Sequence, residues 1–394
     1  MSLLEVITKA SANPNPTTVE SSYPIILNPD PIFLNLKPLL DSSNDPSLPK
    51  RVEGFQISQT DTELIELSQK FFKKLKRKLK SLNTFTKAEF IEIFNSYLVK
   101  NSEKIGISVG VDPSDEGYTL QLIEKVGFLM GRDVLGLIME ACIVFEIWEV
   151  LEIVIVNGFV EHSYLSNLIF SLIEKKRSDL ICLCVKYVSD LQTIDILHIL
   201  KYFLSPPTEG YKSMVSVRKE WESQTLMAIE KVNDKSLSGK KLSLAKEASV
   251  LLMVAHDGFS VNELCLHYLF GSSNLDEVLF ASCISKLNGD EMMGLIRYLG
   301  KWVRKYERFP QACPCPKASS MLGLKACNWV PTFEDIVKCF GLVVDEHFSS
   351  MVLHSEFHEE LRSIEGIVNS LAAESRLCGT VANLAENLRS KVKG

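Results

Sequence analysis

From about residue 60 onward, apolar side chains return at the interval of an α-helical turn, about 3.6 residues, and that period dictates most of what this chain can fold into. Leu64, Leu67, Phe71, Leu75 and Leu79 fall on one face of a helix, as do Phe90, Ile93, Phe94 and Leu98. Helix starts carry their own chemistry. Thr60 precedes Glu63 by three and Thr86 precedes Glu89 by three, the spacing at which a hydroxyl and a carboxylate satisfy the free amides of a first turn. The same reading places further helices at about 118–130, 133–156, 162–175, 178–188, 192–204, 212–232, 241–256, 260–270, 274–287, 289–307, 332–352 and 355–391, separated by short Gly, Asn, Asp or Pro punctuation. The run 153–156 is β-prone by itself, yet it lies within a longer apolar pattern whose length favours helix. Helix pairs with acidic turns recur, 179–188 with 193–204 and 277–287 with 291–303. The expected fold class is therefore all-α, an irregular α-solenoid of antiparallel helix pairs with an extended Pro-rich N-terminal segment. No fixed repeat length accompanies the pairs, so no named repeat family is implied.

More than half of the fifteen prolines lie in residues 1–56, among Asn and Ser clusters. Proline removes an amide donor and fixes φ, so this stretch is expected to be extended and partly disordered, with apolar patches at 24–27 and 32–40 docked on the helical body. The expected divisions are an N-terminal segment at 1–59, a helical region at 60–204 containing a basic helix at 70–80, a second helical region at 212–307, a Cys/Pro loop at 308–330 and a C-terminal helical interaction region at 331–394. The loops at 205–211 and 309–327 are expected to be joints between them.

An apolar fraction of 46% with 9% aromatics can fill a sizeable core. The formal net charge of −6 gives the whole molecule no electrostatic reason to seek duplex nucleic acid or an anionic membrane, so any such contact must be local. No basic cluster followed by an apolar core opens the sequence, and an intracellular setting is expected. The cysteines are scattered mostly through helical patterns, as in Cys142, Cys182, Cys184, Cys265, Cys283 and Cys339, and read as small core hydrophobes, not a disulfide framework. The stretch 134–160 is the one place where a membrane span suggests itself, but Glu140, Glu146, Glu149 and Glu152 interrupt it, and charge at mid-bilayer is costly. A buried helix or helix pair is expected there, and no membrane partner.

The sharpest local feature runs from Lys70 to Lys80, where seven of eleven residues are basic in an otherwise acidic chain. Lys73, Lys74, Lys76, Arg77, Lys78 and Lys80 admit three readings. They form a solvated helix face whose stems cover apolar neighbours, a nuclear or nucleolar targeting patch or phosphate contact, or a calmodulin or membrane site. Cys313, Cys315 and Cys327, with Cys339 beyond, offer thiolates to zinc. The single-residue gap between the first two departs from the C-x₂₋₄-C knuckle that tetrahedral coordination favours, so no metal site and no cofactor are expected. His354 and His358 lie four apart, but Ser355 stands where a zinc protease needs Glu, and they read as surface histidines. His347, after Asp345 and Glu346, suits a charged pair with no nucleophile specified nearby. The sequence contains no P-loop, dinucleotide fingerprint, nucleophile elbow or kinase signature, which argues against the common enzyme classes.

Towards the C-terminus, the segment Pro331-Thr332-Phe333-Glu334-Asp335-Ile336-Val337-Lys338-Cys339-Phe340-Gly341-Leu342-Val343-Val344-Asp345-Glu346-His347-Phe348, continuing to Leu353, resembles the C-terminal helix of the nucleolar protein 11 family. Leu361, Ile364, Ile367, Val368 and Leu371 are compatible with the second long helix that follows there, and 172–186 with 197–204 is similar to that family's helical hairpins. The resemblance implies a nucleolar factor of the small-subunit processome, acting early where ribosomal DNA transcription is coupled to 18S pre-rRNA processing. It implies a non-enzymatic scaffold without a small-molecule substrate, with processome proteins held on helical faces and pre-rRNA met by the basic helix. Members of the family also carry an N-terminal β-propeller, for which about 60 preceding residues leave no room. Two apolar helix faces in 331–371 nominate Phe333, Ile336, Phe340, Val344 and Phe348 as partner-binding residues. The alternative is a cytoplasmic helical adaptor in trafficking or ubiquitin pathways, since helical stacks serve many functions.

Overall fold

Every regular element that the sequence places beyond residue 58 is helical. The computed structural model describes residues 58–392 apart from 109, 111, 113, 114, 116, 190, 273 and 274, and the proline-rich reading of 1–57 lies outside the described residues. Among them are sixteen α-helices and no strand: α1 (Gln59–Leu79), α2 (Lys87–Ile105), α3 (Tyr118–Val126), α4 (Arg132–Val144), α5 (Trp148–Val156), α6 (His162–Glu174), α7 (Ser178–Tyr187), α8 (Thr193–Leu204), α9 (Tyr211–Asn233), α10 (Gly239–His256), α11 (Val261–Phe270), α12 (Glu277–Ile284), α13 (Gly289–Arg308), α14 (Pro316–Leu322), α15 (Phe333–Leu353) and α16 (His358–Val392). No described helix is long and apolar enough to cross a membrane.

The helix ends follow local chemistry. Thr60 is not the cap of α1: Ser58, two residues upstream, accepts a bond from the Asp61 amide at 3.1 Å while its hydroxyl donates to the Asp61 carboxylate at 2.7 Å, drawing the helix start towards it. Thr86 does cap α2, accepting from the Glu89 amide at 3.3 Å. Glu89 does not bond back to the cap as the box requires, because its carboxylate is taken by Lys78 of α1. The expected helix 133–156 is broken into α4 and α5 at Glu146, whose φ of 54° turns the chain while the Ile147 amide donates to the Cys142 carbonyl at 2.8 Å. The same exit recurs at Gly158 and at Lys176, where the next amide reaches back to Val154 and Leu172. Each is a left-handed helix stop with the amide-to-carbonyl bond that satisfies a terminal carbonyl. Repetition of this turn folds α4 to α7 into successive hairpins. Glu140, Glu146, Glu149 and Glu152 all stay on the exposed side of them.

Among themselves, α1 to α8 pack on neighbours no more than three helices away in sequence. Phe71 of α1 stacks on Tyr97 of α2 with ring centroids 4.2 Å apart, and Phe85, Phe90 and Phe145 join in edge and stacked pairs. The pattern then changes, because α11 packs on α7, α8 and α9 together. From Glu263 to Phe270 every residue of α11 is buried, the composition of a helix with no solvent face. Its end lies so close to the turn at 325–329 that a Cβ on Gly271 would meet the Trp329 carbonyl oxygen at 2.6 Å.

A carboxylate and an imidazole accompany this burial, and both are satisfied. Glu263 closes a capping box with Ser260 and pairs with Lys301 of α13 at 2.7 Å. His267 lies 3.0 Å from the Ala255 carbonyl through Nε2 and 2.9 Å from the Tyr298 hydroxyl through Nδ1. A carbonyl can only accept, which makes Nε2 the protonated nitrogen and leaves Nδ1 to accept from Tyr298. Burial pushes the imidazole down from 6.5 to about 3, so it is neutral in the folded protein. Between those values the unfolded chain binds a proton that the folded one refuses, so stability is lost as pH falls through about 6.5. We expect this group to remove about 2 kcal/mol of stability between pH 7 and pH 5. Urea unfolding of the wild type and His267→Gln at both pH values checks this, the variant showing the smaller pH effect.

Candidate partner-binding groove and basic face

The C-terminal helices are built onto α13. Thr332 caps α15, accepting from the Asp335 amide at 3.1 Å while the Asp335 carboxylate accepts from the Thr332 amide, and the Tyr306 hydroxyl donates to the Pro331 carbonyl at 2.5 Å. Ile336, Cys339 and Val343 then bury on one side of α15, which packs against α12 and α13. At His347 the helix kinks, with φ −117°, and the imidazole Nε2 lies 2.8 Å from the Ile284 carbonyl. The expected Asp345/Glu346 charge partnership of His347 gives way to this backbone contact. α16 returns across α13 where Gly300 leaves space: a Cβ there would lie 2.8 Å from Ile364. Arg304 holds α16 in place through Glu360 at 2.5 Å and Ser363 at 3.1 Å.

The two helices leave between them an apolar groove of about 780 Å³, lined on one wall by Val337, Phe340, Val344, Phe348 and Val352 and on the other by Leu361 and Val368, with His358, Arg362 and Glu365 at its polar edge. Phe348 is 63% exposed and Val352 54%, high for large apolar side chains. Of the five nominated partner-binding residues, Phe340, Val344 and Phe348 line this groove. Ile336 does not: it is fully buried beneath it, because its turn of α15 faces α12 and α13. Phe333 lies outside as well, its ring set edgewise on Tyr306 at 5.5 Å. Val337, Leu361 and Val368 belong to the apolar faces legible in the sequence without being nominated for binding, and Val352 was not read, although Val337, Phe340, Val344 and Phe348 recur at spacings of three, four and four, the signal of one helix face.

The basic run forms the outer side of α1. Lys78 points inward to Glu89 and Lys70 pairs with Glu66, while Lys73, Lys74, Lys76, Arg77 and Lys80 are exposed and have no carboxylate partner among the described residues. Lys73, Arg77 and Lys80 share a face over about 10 Å at about 1.5 Å rise per residue, and Lys76 lies over the Phe72 ring at 5.3 Å. Five of the six nominated cations thus compose an unneutralised stripe, and Lys78 is a structural tie between α1 and α2.

The Cys/Pro loop is more ordered than expected, containing α14 and a 3₁₀ turn at Lys325–Trp329. Pro316 opens α14, and Ala318 and Leu322 bury on it. Cys315 and Cys327 are buried side by side, and the shared hydrogen bond holds the Cys327 thiol protonated. Cys313 is exposed and turned to the Pro310 carbonyl, and Cys339 is on α15 with its thiol pushed up to about 12 by burial. No group of three potential metal ligands occurs among the described residues. His354 and His358 do not converge on one site: the His358 Nε2 lies 3.1 Å from the Val352 carbonyl at the groove edge.

No family model, curated protein or solved structure matches this chain. The groove geometry separates support from surface. Gly300→Leu should lower stability by about 1–3 kcal/mol by forcing α16 off α13, whereas Phe348→Asp should change it by no more than about 0.5 kcal/mol because that side chain has no core to leave. Urea midpoints at constant slope distinguish the two.

Proposed function

We propose that this chain is a non-enzymatic scaffold that assembles macromolecules through helical faces, with the α15/α16 groove as its principal docking site. The observation that carries this reading is the groove itself: large aliphatic and aromatic side chains held open to solvent on a rigid support, in the shape that receives an amphipathic helix. The succession of hairpins from α1 to α8 supports an irregular α-solenoid as the frame. The setting we propose is nucleolar, in small-subunit processome assembly, 18S pre-rRNA processing and its coupling to rDNA transcription. That setting rests on the resemblance of 331–353 to the nucleolar protein 11 family, and the stripe at Lys73, Lys74, Lys76, Arg77 and Lys80 supports it as a surface for nucleolar retention or pre-rRNA phosphates.

Because Ile336 and Val343 belong to the core, removing 331–394 would uncover α12 and α13 and confuse unfolding with lost binding. Surface substitutions avoid that. Phe348→Asp with Val352→Asp should abolish recovery of partner proteins in affinity purification while the circular dichroism of the protein is unchanged, and Gln at Lys73, Lys74, Lys76, Arg77 and Lys80 should disperse it from the nucleolus. Full recovery of partners by the groove variant would overturn the docking role. Recovery of vesicle-coat or ubiquitin-pathway proteins by the wild type would replace the nucleolar setting with the adaptor.

A further inference from the structure

The groove has a candidate occupant in the same sequence. Beyond Leu371, α16 continues with every side chain whose exposure is described open to solvent. Leu377, Val381 and Leu384 recur there at spacings of four and three, and each is more than 60% exposed. This is the stripe of an amphipathic helix with no described residue packed against it. A helix of this length carrying Gly379, Thr380 and Asn383 has little intrinsic stability in water, so the stripe needs a partner.

It cannot reach its own groove. Val368 is already part of the wall, and α16 runs on as one helix, so Leu384 lies roughly 24 Å farther along the axis at about 1.5 Å per residue. Charge also points elsewhere than to its own kind. The hairpin from 332 to 365 has eight acidic residues against two basic ones, whereas 371–392 has three basic against two acidic. Two groove hairpins facing each other would repel, while a projecting segment and a groove attract.

We propose that the groove of one copy receives the projecting part of α16 from a second copy, and that the exchange is reciprocal about a two-fold axis. This rests on the reading of the groove as a docking site and names its occupant. Leu377, Val381 and Leu384 of each copy fill the space beside Phe340, Val344 and Phe348 of the other. The apolar wall of α16 is continuous with the stripe that leaves it, so the dimer buries one uninterrupted surface. Reciprocity yields two such contacts for one association.

The test is sedimentation velocity of the full chain over a concentration series, with a groove variant (Phe348→Asp, Val352→Asp) and a tail variant (Leu377→Asp, Leu384→Asp), all at exposed positions. The wild type should dimerise, and each variant alone should associate roughly a hundredfold more weakly or worse. Mixing the two should restore a mixed dimer with one intact contact, tighter than either variant alone. A dimer that survives the groove substitutions but not those in the tail is a tail-to-tail coiled coil and overturns the proposal. So does a dimer that survives the tail substitutions, or a monomeric wild type. In that last case the partner recovery of the groove variant still decides, separately, whether the groove docks another protein.

Discussion

The C-terminal half of the molecule depends on burying α11 on all sides. A helix without a solvent face must satisfy each polar group it carries within the protein, and α11 carries a carboxylate and an imidazole among them. Lys301 answers Glu263 and Tyr298 answers His267, and both partners belong to α13. The burial of α11 therefore fixes where α13 lies, and α13 is the support on which α15 and α16 are built. Gly300 and Arg304 then determine how closely α16 approaches. The groove is a consequence of that spacing: α15 and α16 touch α13 with one side each and leave their remaining apolar side chains facing one another across open space.

The two surfaces with unsatisfied chemistry have opposite character. On α1 five cations lack carboxylate partners among the described residues, in a chain whose net charge is −6. On α15 and α16 the excess is apolar, with an acidic margin. The outermost side chains of each surface, Phe348 and Val352 on α15 and the exposed cations on α1, lie apart from the residues that bury these helices, Phe71 and Leu75 in α1 and Ile336 and Val343 in α15. Such separation permits surface substitution without loss of fold, the property that makes both surfaces testable.

The helical class and most helix positions were legible from periodicity, because a 3.6-residue pattern survives whatever the helix packs against. Thr86 was legible as a cap for the same local reason. Other features depend on contacts that a local pattern does not contain. Thr60 matched the capping spacing, but Ser58 and Asp61 matched it as well, and only the bonds decide between them. The break at Glu146 needs a non-glycine residue with positive φ, for which the sequence carries no signal. α14 is too short to show a period. The site was half legible: an apolar face on α15 was plain, but Ile336 and Phe340 are equivalent in a periodic reading, and which lies in the core depends on the positions of α12 and α13. Lys78 was likewise indistinguishable from its basic neighbours until Glu89 was beside it.

Hydrogen–deuterium exchange tests the central claim, that α15 and α16 present a docking surface for a helix, most directly. The protein would be compared alone at low concentration and in the assembly recovered from cells, with exchange followed by mass spectrometry. The exposed helix at 372–386 should exchange fast in the free protein and slow markedly in the assembly, together with the groove wall at 337–352, while α9 and α10 remain unchanged. Unaltered exchange across 337–386, with protection appearing on other helices instead, would contradict it.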